Sequence, residues 1–285
     1  MIEYTSKKYL VIEIGNMKKK VIKLIKLILL ILVLAVLAGF INPLVTVKYD
    51  LSFSNLPEEM EGYKILQITD FHCKEFGDKE EKLISMVEKC QPDLIVLTGD
   101  IVDEKHTTEN AKYLLEGIKD IAPVYYITGN HEYYPGAPYS EFRDLCDANN
   151  VTILENETAE IEYNGASFML TGLDFVDSVA QLKEAIDYAD NNYFNVLLYH
   201  NAAKFDFLSE YGYDLEFAGH GHGGLIRLPV FGGLLGSDYH LFPKYDYGIF
   251  QEKNSVMVNS SGLGDAKVPR WNNPREIVLV TLHKR

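Results

Sequence analysis

Apolar residues in this chain gather in short runs that close on an oxygen-bearing side chain: KILQITD ends at Asp70, DLIVLTGD at Asp100 and PVYYITGN at Asn130. A strand, a returning helix and the next parallel strand consume roughly 30 residues, the spacing of these three closures. The repeat therefore predicts parallel strands whose carboxyl ends lie side by side at one sheet edge. Further strands are expected to end at His200 and His220, with later β-like runs at Val256–Asn259 and Ile277–Leu282. Helical periodicity alternates with the early strands over Lys79–Cys90, Ala111–Asp120, Ser140–Ala148 and Ser178–Asp190, and Ser178 with Gln181 reads as a capping box. Between Thr152 and Leu173 the pattern alternates and turns at Asn164-Gly165, which predicts an antiparallel hairpin. The fold class is mixed α and β.

The N-terminus is a different material. MKKKVIKLIK leads into an apolar stretch from Leu27 to Ile41. Fifteen helical residues cover about 22 Å, short of a ~30 Å hydrocarbon core, whereas a helix beginning at Val21 covers about 31 Å. Lys23 and Lys26 would then snorkel to the interface. Lys18, Lys19, Lys20, Lys23 and Lys26 precede the stretch and the next charge is Lys48, so the N-terminus is expected in the cytoplasm and the large domain outside it. Val36-Leu37-Ala38 offers the alternative of a cleaved secretory signal and a secreted domain. The expected organisation is a basic cytoplasmic leader over 1–20, a single-pass membrane anchor or signal sequence over 21–41, a linker and first strand over 42–59, and a catalytic domain over 60–285.

Composition narrows the partners. With 47% hydrophobic residues in 285, one substantial core is available, and no Pro-, Ser- or Gly-rich linker interrupts residues 70 to 222. The first fifty residues hold eight lysines and three acids, leaving 19 basic against 38 acidic residues, a net of −19, for residues 51–285. Such a surface repels nucleic acid. Bound divalent ions would still attract phosphate within a cleft. Cys73, Cys90 and Cys146 provide no disulfide framework and no metal-type spacing, and Cys73 reads as structural filler. Oligomeric state is left open.

Five of the eight histidines (His72, His131, His200, His220 and His222) lie at the ends of apolar runs. In an extended segment residues i and i+2 point to one side, so Asp70 with His72, and His220 with His222, are expected to aim two ligands the same way. Gly219, Gly221, Gly223 and Gly224 would let the backbone approach closely there. Carboxylates, imidazoles and an amide without thiolate suit Mn, Fe or Zn. Seven such groups are too many for one ion.

The blocks Asp70-Phe-His72, Gly99-Asp100, Gly129-Asn130-His131-Glu132, His200 and Gly219-His220-Gly221-His222 occur in an order that resembles the calcineurin-like metallophosphoesterases. LFPKYDYGIF and NSSGLGDAKVPRWNNPREIVLVTL are similar to the membrane-associated bacterial branch, so the resemblance covers about residues 60 to 285. Gly221 and Leu225 depart from it, standing where that branch often has Thr and Gln. The resemblance implies a four-layer α/β/β/α sandwich of two packed mixed sheets flanked by helices. It implies two divalent ions, one held by Asp70, His72, Asp100 and His222, the other by Asp100, Asn130, His200 and His220, with Asp100 bridging. His131 is then the catalytic residue at the leaving group.

The function expected is binuclear metal-dependent hydrolysis of a phosphoester, a phosphodiester of an envelope or lipid-linked substrate outside the cytoplasm. A phosphomonoesterase and a non-catalytic metal-dependent binding module are the alternatives; the latter would have lost His131 or Asp100, and both are present. Among secondary candidates, Asp103 could orient a histidine or cap a helix, and Glu132 reads as solvated. Arg227, Lys244 and Arg270 could meet a substrate phosphate or be surface charge. His106, His240 and His283 carry no motif. The aromatic run Phe231–Phe250 reads as core packing or as a lid or membrane-facing loop. Met17 opens a more typical export sequence than residues 1–16, so translation is expected to start there; an intact mass that includes residues 1–16 would contradict this.

Overall fold

The computed structural model describes residues 2–236 and 240–285, with side chains from residue 16 onward. It divides into two compact units, Met1–Ile41 and Asn42–Arg285. The first is one helix, α1 (Ile2–Ala38), whose Asn16–Ala38 portion is long and apolar enough to cross a membrane. The helical conformation stops at Ala38, three residues short of the expected Ile41, where Gly39 and Phe40 form a turn.

In the second unit one six-stranded sheet has the order β1 (Leu44–Phe53), β14 (Arg275–Lys284), β2 (Lys64–Ile68), β3 (Leu94–Thr98), β4 (Val124–Ile127), β5 (Val151–Ile153). All neighbours are parallel except β14 with β2. The other sheet runs β12 (Gly248–Glu252), β13 (Ser255–Asn259), β9 (Leu215–Gly219), β8 (Asn195–Asn201), β7 (Ala166–Gly172), β6 (Glu157–Tyr163). Its outer pairs β12–β13 and β6–β7 are antiparallel, the latter being the expected hairpin around Asn164-Gly165. A small hairpin, β10 (Arg227–Leu228) with β11 (Gly232–Gly233), stands apart.

Strand periodicity explains the layers. Ile65, Leu94 and Val96 enter a core shared with Phe168, Leu170, Val196, Leu198 and Phe217, so the sheets pack face to face. The alternate residues Leu66, Ile95 and Leu97 pack instead against helices α2 (Glu81–Cys90), α3 (Glu109–Ile118) and α4 (Tyr139–Ala148). Leu197 and Tyr199 likewise face outward onto α5 (Val179–Ala185) and α6 (Phe205–Leu208). Side chains of period two filling both faces are what a doubly covered sheet requires. The result is the four-layer α/β/β/α sandwich.

Helix ends depart from the pattern for local reasons. α2 starts two residues late because Lys79 and Glu80 are left-handed, at φ 48° and 62°, and the buried Glu80 carboxylate accepts the Phe76 amide at 3.1 Å. α5 stops at Ala185 because Ile186 turns extended and seats in the core with Leu182, Tyr199 and Tyr213. Its Ser178 caps the amide of Ala180 at 3.2 Å, so the expected partnership with Gln181 is not the one formed. The aromatic run from Phe231 splits: Tyr245 is buried against Phe205 and Phe250, while Phe231 and Phe242 are exposed.

On β9, Glu216 is in register with Leu197 of β8 and Met257 of β13, buried, and its Oε1 has no hydrogen-bond partner among the described residues. Burial pushes this carboxyl well above the ordinary range, so the native state keeps a proton that the unfolded chain releases above about pH 4.3. Stability should therefore fall as pH rises beyond that value. Glu216→Gln should remove this slope in denaturant titrations between about pH 5 and pH 8; a variant as pH-dependent as the parent would contradict the assignment.

Candidate metal centre

Apart from His200, which lies within β8, the ligand-type residues stand just past the strands, as the thirty-residue rhythm requires, but their backbone is not extended. Asp70, His72, Asp100, His220 and His222 all have φ between 45° and 68°. Alternation along a strand therefore does not build the two pincers. The chain instead turns through left-handed conformations, which Asp and His tolerate better than most residues at a cost on the order of 1–3 kcal/mol each. Backbone hydrogen bonds hold those turns: the amides of Asp70, His72 and Cys73 donate to the carbonyls of Gly99 (3.0 Å), Asp100 (3.0 Å) and Ile101 (3.1 Å). The loop after β2 is thus stitched to the loop after β3. Gly219 sits so close to Thr69 and Asp70 that a Cβ would fall 2.5 Å from Asp70 Oδ2. A Cβ on Gly221 would meet nothing nearer than 4.0 Å, so close approach is not what requires that glycine.

All eight residues expected at the site converge. His72, Asp100, Asn130, His131, His220 and His222 line a cleft of about 220 Å³. Asp70 and His200 form its fully buried floor. His222 Nε2 lies 3.6 Å from Asp70 Oδ1, and Asp100 Oδ2 lies 3.8 Å from His72 Nε2 and 3.2 Å from His200 Nε2. The His220 ring is 5.1 Å from that of His200, centre to centre. Among the described residues three groups are close enough to share an ion: Asp70, His72 and His222; Asp100, His200 and His220; and His72, Asp100 and His131.

Hydrogen bonding leaves the inward-facing atoms available. The Nδ1–H of His200 donates to the Thr98 carbonyl at 2.7 Å, so Nε2 is the nitrogen turned toward Asp100 and would offer a lone pair to a metal on losing its proton. The Asn130 amide nitrogen donates to the Tyr134 hydroxyl at 3.1 Å and turns Oδ1 inward. His72 Nε2, Asn130 Oδ1 and His200 Nε2 are buried without a hydrogen-bond partner among the described residues. Orphaned buried acceptors are costly, and a divalent cation satisfies them; carboxylate, imidazole and amide donors fit Mn, Fe or Zn. Charges point the same way. Burial pushes Asp70 up to about 6 and His72 down to about 4, and burial with the nearby Arg270 holds His222 well below the usual range. His200 resists burial because the Asp100 and Asp70 carboxylates push it up to about 10. Without a metal, that imidazolium is the counter-charge to the carboxylates.

Two acids gain roles that the sequence did not reveal. Glu132, expected to be solvated, is buried and accepts the amides of Gly129 (2.7 Å), Asp100 (3.0 Å), Ile101 (2.8 Å) and Val102 (3.3 Å). It ties the Asp100 loop to the Asn130 loop. Its reach back to an amide three residues earlier is the capping-box geometry, and that spacing was the available signal. Glu104 Oε2 accepts from His131 Nδ1 at 2.8 Å. Asp103 lies 3.6 Å from His72 Nδ1, beside the histidine it could orient, and it caps no helix: the amides it accepts, those of Lys105 and His106, belong to a turn ahead of α3.

The remaining candidates are occupied elsewhere. Arg227 pairs with Asp246, Lys244 with Asp206 and Glu252, and His283 with Glu61 and Asp50. His106 packs on Asp103, and the His240 carbonyl accepts the Gly236 amide. Arg270 is buried behind His222, its Nη2 at 3.3 Å from His222 Nδ1. Leu225, one of the two departures from the bacterial branch, lines the cleft, whereas Gly221 does not. Glu132→Gln replaces acceptors with an amide that faces donors, so it should cost roughly 2–4 kcal/mol in urea unfolding and lower metal retention. A change below about 0.5 kcal/mol, the range of a neutral surface substitution, would show that the four-amide clamp is not structural.

Comparison with known proteins agrees with this geometry. The family described as calcineurin-like phosphoesterase matches residues 63–224. The chain is 26% identical over 262 residues to the uncharacterized metallophosphoesterase YkuE of Bacillus subtilis, covering 86% of this chain and 88% of that protein. It is 31% identical over 226 residues to the B. subtilis protein YpbG, covering 76% and 80%. It is 28% identical over 203 residues to a bovine protein named transmembrane protein with metallophosphoesterase domain, covering 65% of this chain and 45% of that one. With the sandwich and the convergent ligands in place, the chain belongs to the calcineurin-like phosphoesterase family and is a metal-dependent phosphoesterase.

Proposed function

We propose that the site holds two divalent ions and hydrolyses a phosphodiester. One ion is held by Asp70, His72, Asp100 and His222, the other by Asp100, Asn130, His200 and His220. The observation that carries this reading is the position of Asp100. Its Oδ1 accepts the His131 amide at 2.8 Å, while Oδ2 faces His72 of one set and His200 of the other. Ions bound there supply Lewis-acid activation of water and of the phosphoryl group. His131, held through Nδ1 by Glu104, lines the cleft and is the proton donor: as the oxygen of water bonds to phosphorus and the ester P–O bond breaks, the departing oxygen takes the proton from its ring.

A diester suits the mouth of the cleft better than a monoester. Arg227 and Lys244, the sequence candidates for a phosphate clamp, are paired with carboxylates. The lining cations Lys105 and Lys267 are accompanied by Glu104 and Asp265. A singly charged phosphate is matched to that balance more closely than a dianion. For location, the lysines preceding the apolar part of α1 support a cytoplasmic N-terminus with the catalytic unit outside, and the bovine relative is named as a transmembrane protein. An envelope or lipid-linked phosphodiester is the substrate class this supports.

Purified full-length protein, assayed with Mn²⁺, Zn²⁺ or Fe²⁺ on paired p-nitrophenyl mono- and diesters, tests the proposal. Asp100→Ala should lose both ions and turnover; retention of two ions per chain would end the bridging role. His131→Ala should keep its metals and slow turnover by about 10²- to 10⁴-fold, and an unchanged rate would place the proton donor elsewhere. A monoester preference would reject the diester reading. Protease added outside intact cells should digest the catalytic unit, and lasting protection would reverse the topology.

A further inference from the structure

We infer that Val230 and Phe231 of the β10–β11 hairpin, with Leu241 and Phe242, form a lipid-docking surface that places the mouth of the metal cleft against a bilayer. This rests on the reading of α1 as a membrane anchor and adds the face by which the catalytic unit meets the membrane. Val230 is 101% exposed, Phe231 74%, Leu241 66% and Phe242 56%. They belong to one local structure: the Phe231 amide donates to Leu228, Leu235 bridges to Leu241, and the Phe242 amide donates to Leu234 at 3.0 Å. Four large apolar side chains exposed along one hydrogen-bonded stretch of chain are unfavourable in water and mark an interaction surface. Tyr245 and Phe250, a few residues on, pack into the interior, so the exposure is local to this hairpin.

The occupant follows from where the chain enters the catalytic unit. Residues 39–43 connect α1 to β1. Asn42, the first residue of the second unit, donates to the Arg270 carbonyl at 3.0 Å and accepts the Asn273 amide at 3.1 Å. Asn273 in turn donates to the carbonyls of His222 (2.7 Å) and Leu225 (3.2 Å). The Trp271 amide donates to Leu225, and Trp271 accepts from Arg227 at the base of the hairpin. Entry point, metal-ligand loop and apolar hairpin are therefore one hydrogen-bonded edge. Only Gly39, Phe40 and Ile41 separate α1 from Asn42, and three linking residues reach at most about 11 Å, so a membrane holding α1 lies within reach of that edge. Aromatic and aliphatic side chains of this kind settle at the boundary of headgroups and acyl chains. A phosphoester in a lipid headgroup then meets the cleft without leaving the bilayer.

Full-length Phe231→Trp and Val230→Trp variants reconstituted in phosphatidylcholine vesicles with brominated acyl chains test the inference, with the parent protein subtracted for Trp271. Tyr188→Trp, at a residue 77% exposed elsewhere on the unit, is the control. Insertion at the acyl boundary should quench the first two by about half or more and leave the control nearly unquenched. Flotation of the same samples reads the anchor separately. Co-flotation without quenching at 230 and 231 overturns the docking surface and leaves the anchor standing. Failure to float overturns both. Bromine-insensitive, blue-shifted emission with dimers in sedimentation would assign the surface to a second copy of this chain and also overturn the inference.

Discussion

Two carboxylates, Asp70 and Asp100, are buried in the catalytic unit, and much of the surrounding construction exists to make that tolerable. An ionised carboxylate removed from water is unfavourable unless opposite charge and hydrogen bonds replace the solvent. Here the Thr69 hydroxyl and the His220 amide donate to Asp70, and the His131 amide donates to Asp100. Those donors and the one imidazolium, His200, do not complete the charge balance of two carboxylates, because His72 and His222 are held neutral. A divalent ion is the species that removes the deficit. Metal affinity at such a site can thus be understood as relief of buried charge, with His72 and His222 kept unprotonated by the same low dielectric that makes the carboxylates uncomfortable.

The clamp formed by Glu132 operates one layer further back. Four amides from two successive loops converge on one buried carboxylate. The loops that end β3 and β4 consequently hold their position together, and the left-handed residues between strand and ligand cannot relax independently. Strained backbone persists at functional sites only where its surroundings over-determine it. The stitching between the Asp70 and Asp100 loops supplies that condition on one side, and Glu132 supplies it on the other.

Much of this was legible in the sequence, because strand ends and ligand identity share one signal. The apolar runs before Asp70, Asp100 and Asn130 had to be strands to bury both faces, and their spacing had to bring those ends together. The sign of φ was not legible, since an aspartate or histidine is compatible with extended and left-handed backbone alike. Nor was the second helix layer fully resolved: α5 ends where Ile186 finds a tertiary pocket, a contact that local periodicity does not encode. Glu132 was misread for a related reason. A charged residue beside a glycine-rich turn resembles a solvated one until the amides it receives are known, and three of its partners, Asp100, Ile101 and Val102, belong to a loop some thirty residues earlier.

The pairing of β1 with β14 joins Leu44 to Arg275 and continues in parallel to Phe53 with Lys284. β14 also pairs with β2, so the earliest strand of the catalytic unit reaches its sheet only through one of the latest. During synthesis, the segment nearest the apolar helix must wait, without its neighbour, until almost everything between has been made. Closure of this sheet therefore waits for the last strand, and a truncation that removes β14 strips β1 of its neighbour as well.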